Sequence, residues 1–240
     1  MARLARVVVR GLPHHVTQRG SRRLQTFFCD EDYLEYRRLV AQFCKTCKTK
    51  VWAYCLMPNH VHLVMVPSTV DGLRCTLGEA HRRYTRRVNL REDWRGHLWQ
   101  ERFYSFVMDE RYLLAAVRYV ENNPVRAGLC AAAEDWAWSS AAAHLSGEND
   151  ALVTVKPMLD LVPDWRHYLR GATDEQTREA IHKHMRTGRP LGNDAFLDRL
   201  ERQTGRLLRP QKPGPKPNRP KPASKTRRGR RPSNHPRNGS

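Results

Sequence analysis

Apolar positions in the first half of the chain alternate between the spacing of a strand and the spacing of a helix. Residues 14–18 are predicted to form a strand that ends in a polar turn. A helix is predicted with Asp30 as its N-cap, because apolar side chains over residues 36–47 repeat at helical spacing. Residues 50–56 and 60–66 then form two strand-like runs around a Met-Pro-Asn turn, which indicates a hairpin.

A second helix, a fourth strand and a third helix are predicted after the hairpin. Asp71 can cap a helix whose apolar side chains form one stripe over residues 73–88. Residues 98–107 resemble a strand, and the next helix is capped by Asp109 and stopped by Pro124. The order β-α-β-β-α-β-α predicts an α+β fold, in which an antiparallel sheet carries helices on one face. A ferredoxin-like arrangement fits this order best.

The C-terminal part of the chain has a weaker pattern and divides into two regions. Residues 131–210 are predicted to be a partly helical extension of a first domain, residues 1–130, with short helices at 174–186 and 193–203. Residues 211–240 hold ten Lys and Arg, no acidic residue and seven prolines, and such a composition cannot bury a core. We therefore predict a disordered, Pro-rich basic tail.

The charge balance indicates a polyanionic partner. The chain carries 43 Lys and Arg against 24 Asp and Glu, which gives a net charge of +19. Nucleic acid is the first candidate for the partner, and an anionic membrane surface is the second. No apolar run is long enough for a membrane span or for the core of a signal peptide, so we expect a cytoplasmic protein without a membrane segment. Charge alone does not indicate an enzyme, because structural nucleic-acid binders share it.

The six cysteines do not have the pattern of a disulfide-rich protein. They lie mostly in periodic segments, so we expect reduced cysteines in the core. Cys44 and Cys47 have the C-x2-C spacing of a zinc finger and precede His60 by twelve residues. A finger needs two histidines about three to five residues apart, however, and His60 and His62 are closer together. A zinc finger is therefore the less favoured interpretation of these histidines.

The pair His60 and His62 is the sharpest local feature of the sequence. Residues i and i+2 of a strand point to the same face, about 6–7 Å apart, so two imidazoles in this arrangement can share one metal ion. Val61, Leu63 and Met65 would then point into the core. The alternative is a pair of surface or hydrogen-bonded histidines without a metal.

Tyr119 and Asn123 are four residues apart on the third helix, so their side chains lie on one face of it. The core stripe of that helix contains Leu113, Val117 and Val120, which leaves Tyr119 toward its flank. At this position Tyr119 could have a catalytic role, although tyrosines in such positions more often pack against the core.

Basic residues on the second helix form a further candidate surface. Four arginines between residues 82 and 87 lie opposite the apolar stripe, where they could track a phosphate backbone or only face solvent. Residues 174–205 could also form a helix-turn-helix, although two short helices are a weak signal for this motif.

Four separated segments resemble the REP-associated tyrosine transposases, which belong to the single-tyrosine, HUH-type transposases named for a His-hydrophobic-His motif. The similarity covers about residues 10–145, in order and with matching spacing. The segments are HVTQRG (15–20), AYCLMPNHVHL (53–63), LWQERF (98–103) and RYVENNPVRAG (118–128), and Trp138-Ser-Ser140 also fits.

The resemblance implies a metal site. His60 and His62 would be ligands, and Asn123 would supply a third ligand, although Asn122 is adjacent to it. Imidazoles together with an amide oxygen suit Mg²⁺ or Mn²⁺.

The resemblance also implies a DNA strand-transfer reaction catalysed by residues 1–130. Tyr119 would attack single-stranded or hairpin DNA from repetitive extragenic palindromes, forming a 5′-phosphotyrosine and releasing a 3′-OH. We expect a monomer or a homodimer. The alternative is a non-catalytic DNA-binding protein or regulator, which forms no covalent bond to DNA. The predicted DNA contacts are Arg19, Arg82, Arg83, Arg86, Arg87, Arg102 and Arg126.

Overall fold

The computed structural model describes residues 5–210 and has an α+β fold built on a four-stranded antiparallel sheet. The strands are β1 (His14–Arg19), β2 (Thr49–Met57), β3 (His60–Pro67) and β4 (Tyr104–Val107), in the order β2-β3-β1-β4. The helices between and after them are α1 (Asp30–Thr46), α2 (Gly72–Arg91) and α3 (Glu110–Glu121). The predicted ferredoxin-like fold class is therefore confirmed. The predicted tail, residues 211–240, lies outside the described residues.

Six further helices complete the described chain. They are α4 (Asn123–Arg126), α5 (Ala141–Ser146), α6 (Lys156–Leu159), α7 (Trp165–Arg170), α8 (Glu175–Thr187) and α9 (Asp194–Thr204). The predicted helices α8 and α9 are confirmed, and each begins after a side chain that caps it: Asp174 accepts from the Thr177 amide at 2.8 Å and Asn193 from the Phe196 amide at 2.8 Å. None of the helices within residues 5–210 has the length and apolar character needed to cross a membrane.

Two other predicted helix ends differ in detail. Asp30 is the first residue of α1 rather than its N-cap, which is Cys29. Pro124 does not end the helical path completely. It lies in the first turn of the short helix α4, where a proline is tolerated because its missing N–H would have no intrahelical partner.

One face of the sheet packs against α1 and α2. Val61, Leu63 and Met65 of β3 are fully buried there, as predicted, together with apolar residues of the two helices. The predicted stripe of α2 belongs to the same cluster, since its side chains from Leu73 to Val88 are also buried.

The second face of the sheet is also covered by helices. Ala53, Val64 and Phe106 on this face form a cluster with buried residues of α3 and of the extension. The prediction of helices on one face therefore describes α1 and α2 only. Apolar residues of the sheet are buried on both faces, so both faces need a partner. The extension shares a core with the first domain, and a domain boundary at residue 130 stays a prediction.

The predicted strand over residues 98–107 is wrong in its first half, because β4 begins only at Tyr104. Leu98 and Trp99 are buried in the cluster formed with α1 and α2, and Trp99 makes only an isolated bridge to Gly20. Glu101 then has a positive φ of 153°, which interrupts the extended path. Buried side chains in an irregular segment produced the same apolar pattern as a strand.

The prediction that all cysteines are reduced is wrong for one pair, since Cys47 and Cys75 form a disulfide. Cys47 follows α1 and Cys75 lies in the first turn of α2, so the bond joins two adjacent helices. Cys44 is buried in the core and is a free thiol. Cys47 is therefore not available for a zinc finger.

A buried carboxylate connects the extension to α3. The side chain of Glu121 accepts from Trp165 Nε1 at 2.9 Å, from His144 Nδ1 at 2.6 Å and from the Ser140 hydroxyl. Glu121 has no exposed area. A buried carboxyl group is stable only when hydrogen-bond partners surround it, so these three donors and Glu121 depend on one another.

We expect Glu121→Ala to lower the free energy of unfolding by about 3 kcal/mol or more, because it leaves several buried donors without an acceptor. Glu134→Ala is the matched control: its ion pair with Arg166 of α7 is at the surface and should contribute less than about 1 kcal/mol. Urea unfolding of both variants measures the difference. Equal losses would contradict the role given to Glu121.

Two histidines away from the second sheet face, the buried His14 and the half-buried His81, make the fold sensitive to acid. Burial lowers the pKa of His14 to about 4 and the pKa of His81 to about 3. His14 Nε2 accepts the Val9 amide at 3.1 Å, and His81 Nε2 lies 2.9 Å from the Tyr36 hydroxyl. Protonation would remove both acceptors. The stability contributed by a neutral buried histidine is present above its unfolded pKa of 6.5 and is lost as pH falls toward the folded pKa.

We therefore expect the free energy of unfolding to be nearly constant above neutral pH and to fall below about pH 6.5, by up to about 1.4 kcal/mol per pH unit for each such histidine. His81→Gln should make the slope shallower, since glutamine can still accept from Tyr36 but does not titrate. Urea unfolding as a function of pH measures both slopes. An unchanged slope in the variant would be inconsistent with a neutral His81 in the fold.

Candidate active site

The pairing of β1 with β3 gathers polar side chains on the second face of the sheet. Thr17 pairs with His62, and Arg19 pairs with His60. Directly paired residues share a face, and His15 lies on that face as well because residues alternate along β1. The strands therefore concentrate three histidines and an arginine on the side of the sheet opposite α1 and α2.

The rings of His60 and His62 are close to each other, with centroids 5.0 Å apart. His60 Nδ1 donates to Asn59 Oδ1 at 2.6 Å, since an amide oxygen can only accept. His62 Nδ1 lies 3.0 Å from His15 Nε2. When Nδ1 of a histidine donates, the Nε2 lone pair is left for another partner. Metal-binding histidines are held by their second ring nitrogen in this way.

Burial keeps both histidines neutral. It lowers the pKa of His60 to about 4, assisted by the positive charges of Arg19 and Arg126. Burial also holds the pKa of His62 well below its ordinary value, assisted by the neighbouring His60 and His15. Neutral imidazoles have the free lone pairs that a metal ligand needs.

The side chain of Tyr119, on α3, lies close to these histidines. Its ring centroid is 5.7 Å from that of His62 and 6.2 Å from that of His15. The hydroxyl lies 3.1 Å from His182 Nε2, and the Arg126 guanidinium stacks over the ring at 4.2 Å. The structure thus brings Tyr119 together with the two predicted histidines.

The two neighbouring asparagines have different surroundings. Asn122 donates from Nδ2 to the Leu169 carbonyl at 2.9 Å, so its amide is committed to the extension. Asn123 is buried, and its Nδ2 has no hydrogen-bond partner in the described chain. Asn123 is not among the described residues that line the cleft in front of the histidines. Of the two asparagines, Asn123 is therefore the one whose amide nitrogen is not committed to the extension.

A large cleft of about 950 Å³ opens in front of His60, His62 and Tyr119. One wall comes from β1 and β3, and the other comes from α8 of the extension. Glu175 and Glu179 are acidic residues of this lining. Its basic residues are Arg19, Arg23, Arg126, Arg178, Lys183 and Arg186. The excess of cations and the open shape fit a polyanion rather than a small apolar ligand.

The arginines predicted to contact DNA do not form one surface. Arg19 and Arg126 line the cleft, and Arg102 lines a small neighbouring cavity. The four arginines at positions 82, 83, 86 and 87 lie on α2, which covers the opposite face of the sheet. Arg82 and Arg83 also lie within 4 Å of Glu79, which offsets part of their charge. Contacts of all seven with DNA stay predictions.

Two residues at the site, His15 and His182, were not among the site residues predicted from the sequence. His15 lies inside one of the segments that resemble the family, and this position could have identified it as a site residue. His182 lies on a correctly predicted helix, but only the packing of α8 against α3, β1 and β4 brings it to Tyr119. The helix-turn-helix interpretation does not match this packing, because Ile181 of α8 and Phe196 of α9 belong to different clusters.

Within residues 5–210, no three His, Cys, Asp or Glu side chains are arranged to hold a metal ion together. A metal bound by His60 and His62 would therefore need a third ligand of another type, such as the Asn123 amide or a ligand from the substrate.

The chain is similar in sequence to known transposases. Residues 8–123 match the family model for IS200-like transposases, and this range includes all four residues of the predicted site. A REP-associated tyrosine transposase of Haemophilus influenzae is 27% identical over 121 residues, which is 45% of this chain and 69% of that protein. The resemblance predicted from the sequence is confirmed.

A solved structure has the same fold. The structure of a REP-associated tyrosine transposase bound to a REP hairpin matches with a TM-score of 0.54 at 20% identity. The match covers 64% of this chain and 92% of that one. At this level of identity the similarity supports the fold alone.

Proposed function

We propose that the chain, whose residues 8–123 match the family model for IS200-like transposases, cuts and rejoins single-stranded DNA through a covalent bond to Tyr119. The main support for the proposal is that Tyr119, His60 and His62 lie close together in one basic cleft.

The proposed substrate is hairpin-forming DNA from repetitive palindromes. The solved relative is bound to a REP hairpin, and the cleft of this chain has the cations that a phosphate backbone requires. Arg19 and Arg126 lie close to the proposed chemistry, since both lower the pKa of His60 and Arg126 stacks over the Tyr119 ring. We assign these two arginines to phosphates on either side of the cleavage point.

Tyr119 is proposed to be the nucleophile. Attack of its oxygen on phosphorus breaks the bond to the 3′-oxygen and leaves the 5′-phosphate on the enzyme. The released 3′-OH, or that of another strand, can later attack the phosphotyrosine. Because a phosphoester bond is kept throughout, the rejoining step needs no external energy source.

A divalent cation, Mg²⁺ or Mn²⁺, is the proposed cofactor. His60 and His62 would hold it through Nε2, in agreement with the neutral rings, and Asn123 would add its amide oxygen. When bound, such an ion neutralises charge on the scissile phosphate and orients it. His15 would hold the His62 ring in place.

We expect Tyr119→Phe to abolish cleavage and covalent attachment to DNA while DNA binding stays close to that of the unchanged protein, because only the hydroxyl is lost. Tyr104→Phe is the matched control, since Tyr104 lines the same cleft and should be dispensable for cleavage. Denaturing gels of a labelled hairpin oligonucleotide with Mn²⁺ report both properties. Cleavage by Tyr119→Phe would refute the assignment, and tight binding without any adduct in the unchanged protein would favour the non-catalytic alternative.

We expect His60→Ala and His62→Ala to lower the metal-dependent cleavage rate by about a hundredfold or more, since a bound metal contributes several kcal/mol to the transition state. The exposed His97→Ala should have no effect. Titration calorimetry with Mn²⁺ checks binding independently, and thermal unfolding checks that the variants fold. Normal Mn²⁺ binding by both variants would exclude this metal site.

A further inference from the structure

We propose that His182, on helix α8 of the extension, accepts the proton of the Tyr119 hydroxyl as that oxygen attacks DNA. This inference rests on the proposed function, because it gives a role within that reaction. It assigns the extension a part of the active site: a residue outside the range of the matched family model would touch the reacting atom.

The geometry meets the requirement for proton transfer. His182 Nε2 lies 3.1 Å from the Tyr119 hydroxyl oxygen, which is within hydrogen-bond reach of the proton to be moved. The two rings are nearly perpendicular, with centroids 5.5 Å apart, so the imidazole points a nitrogen at the hydroxyl instead of stacking on the ring. Both side chains line the cleft in which DNA is proposed to bind.

The position of His182 is set by a well-anchored helix. The preceding residue, Ile181, is fully buried in the cluster that includes α3. Asp174 caps the first turn of α8, and Gly188 ends the helix in a left-handed conformation with φ of 67°. A group on a packed helix is held more precisely than one on a loop. The helix that carries His182 packs on the helix that carries Tyr119.

The surroundings of His182 favour its neutral form, which can accept a proton. Its pKa is lowered by burial and then by the nearby cations Arg126, Arg178 and Arg186, while Glu175 acts in the opposite direction. A phenol loses its proton when its oxygen forms a bond to phosphorus, so the attack needs a proton acceptor. A neutral imidazole in contact with the hydroxyl supplies one.

The proposed step balances in protons and electrons. As the bond from the Tyr119 oxygen to phosphorus forms, the hydroxyl proton moves to His182 Nε2. The bond from phosphorus to the 3′-oxygen breaks, and that oxygen leaves with the electron pair and takes a proton from water. In the rejoining step the 3′-OH gives its proton to water, and the His182 imidazolium returns its proton to the departing Tyr119 oxygen.

The test compares single-turnover rates of covalent adduct formation by the full-length protein with a labelled hairpin oligonucleotide and Mn²⁺ at neutral pH. We expect His182→Ala to lower the rate by about a hundredfold or more, the usual contribution of a general base. His182→Gln should be equally slow, because glutamine can bond to the hydroxyl but cannot take its proton. The exposed His167→Ala, also in the extension, should react at the normal rate. Added imidazole should restore adduct formation to His182→Ala.

The outcomes separate this inference from the proposed function. A normal rate in His182→Ala or in His182→Gln would overturn the proton-transfer role, and so would a failure of imidazole to accelerate His182→Ala. An unchanged protein that forms no adduct would overturn the proposed function together with this inference. DNA affinity, measured in parallel, should be the same in the two His182 variants and in the unchanged protein, which excludes a loss of substrate binding as the cause.

Discussion

The packing of α1 and α2 against one face of the sheet determines which side chains of β3 remain for chemistry. Val61 and Leu63 have no exposed area against those helices, so strand alternation directs His60 and His62 to the other face. A slip of one residue between β1 and β3 would exchange the two sets of side chains. The hydrophobic core therefore enforces the arrangement of the site, and the burial that supports it also keeps the two imidazoles neutral.

The second face depends on a different interaction, in which α3 is held between the sheet and the extension. Glu121 has no exposed area and accepts hydrogen bonds from Trp165 and His144, and this binds the extension to α3 two residues after Tyr119. Asn122, the next residue, bonds to the extension as well. The part of the chain beyond the family match is thus joined by its packing to the helix that carries Tyr119, and α8 supplies the second wall of the basic cleft.

The parts of the fold that could be predicted are those with a strong local signal. The turn residues between β2 and β3 predict the hairpin that contains His60. Side-chain caps and periodicity predict the helices α3, α8 and α9. Residues 98–103 could not be distinguished from a strand, because burial in an irregular segment gives the same apolar pattern. The Cys47–Cys75 disulfide and the contact of His182 with Tyr119 join residues far apart in the chain, and no local pattern encodes such a contact.

The most direct measurement of the central claim is to locate the DNA on the protein. The adduct formed with a hairpin oligonucleotide and Mn²⁺ would be digested with nuclease and trypsin, and the phosphorylated peptide would be identified by mass spectrometry. We expect the nucleotide remnant on the peptide of residues 119–126, which follows Arg118 and contains Tyr119 as its only tyrosine. A remnant on the peptide of residues 103–111, which contains Tyr104 from the same cleft, would contradict the assignment of the nucleophile.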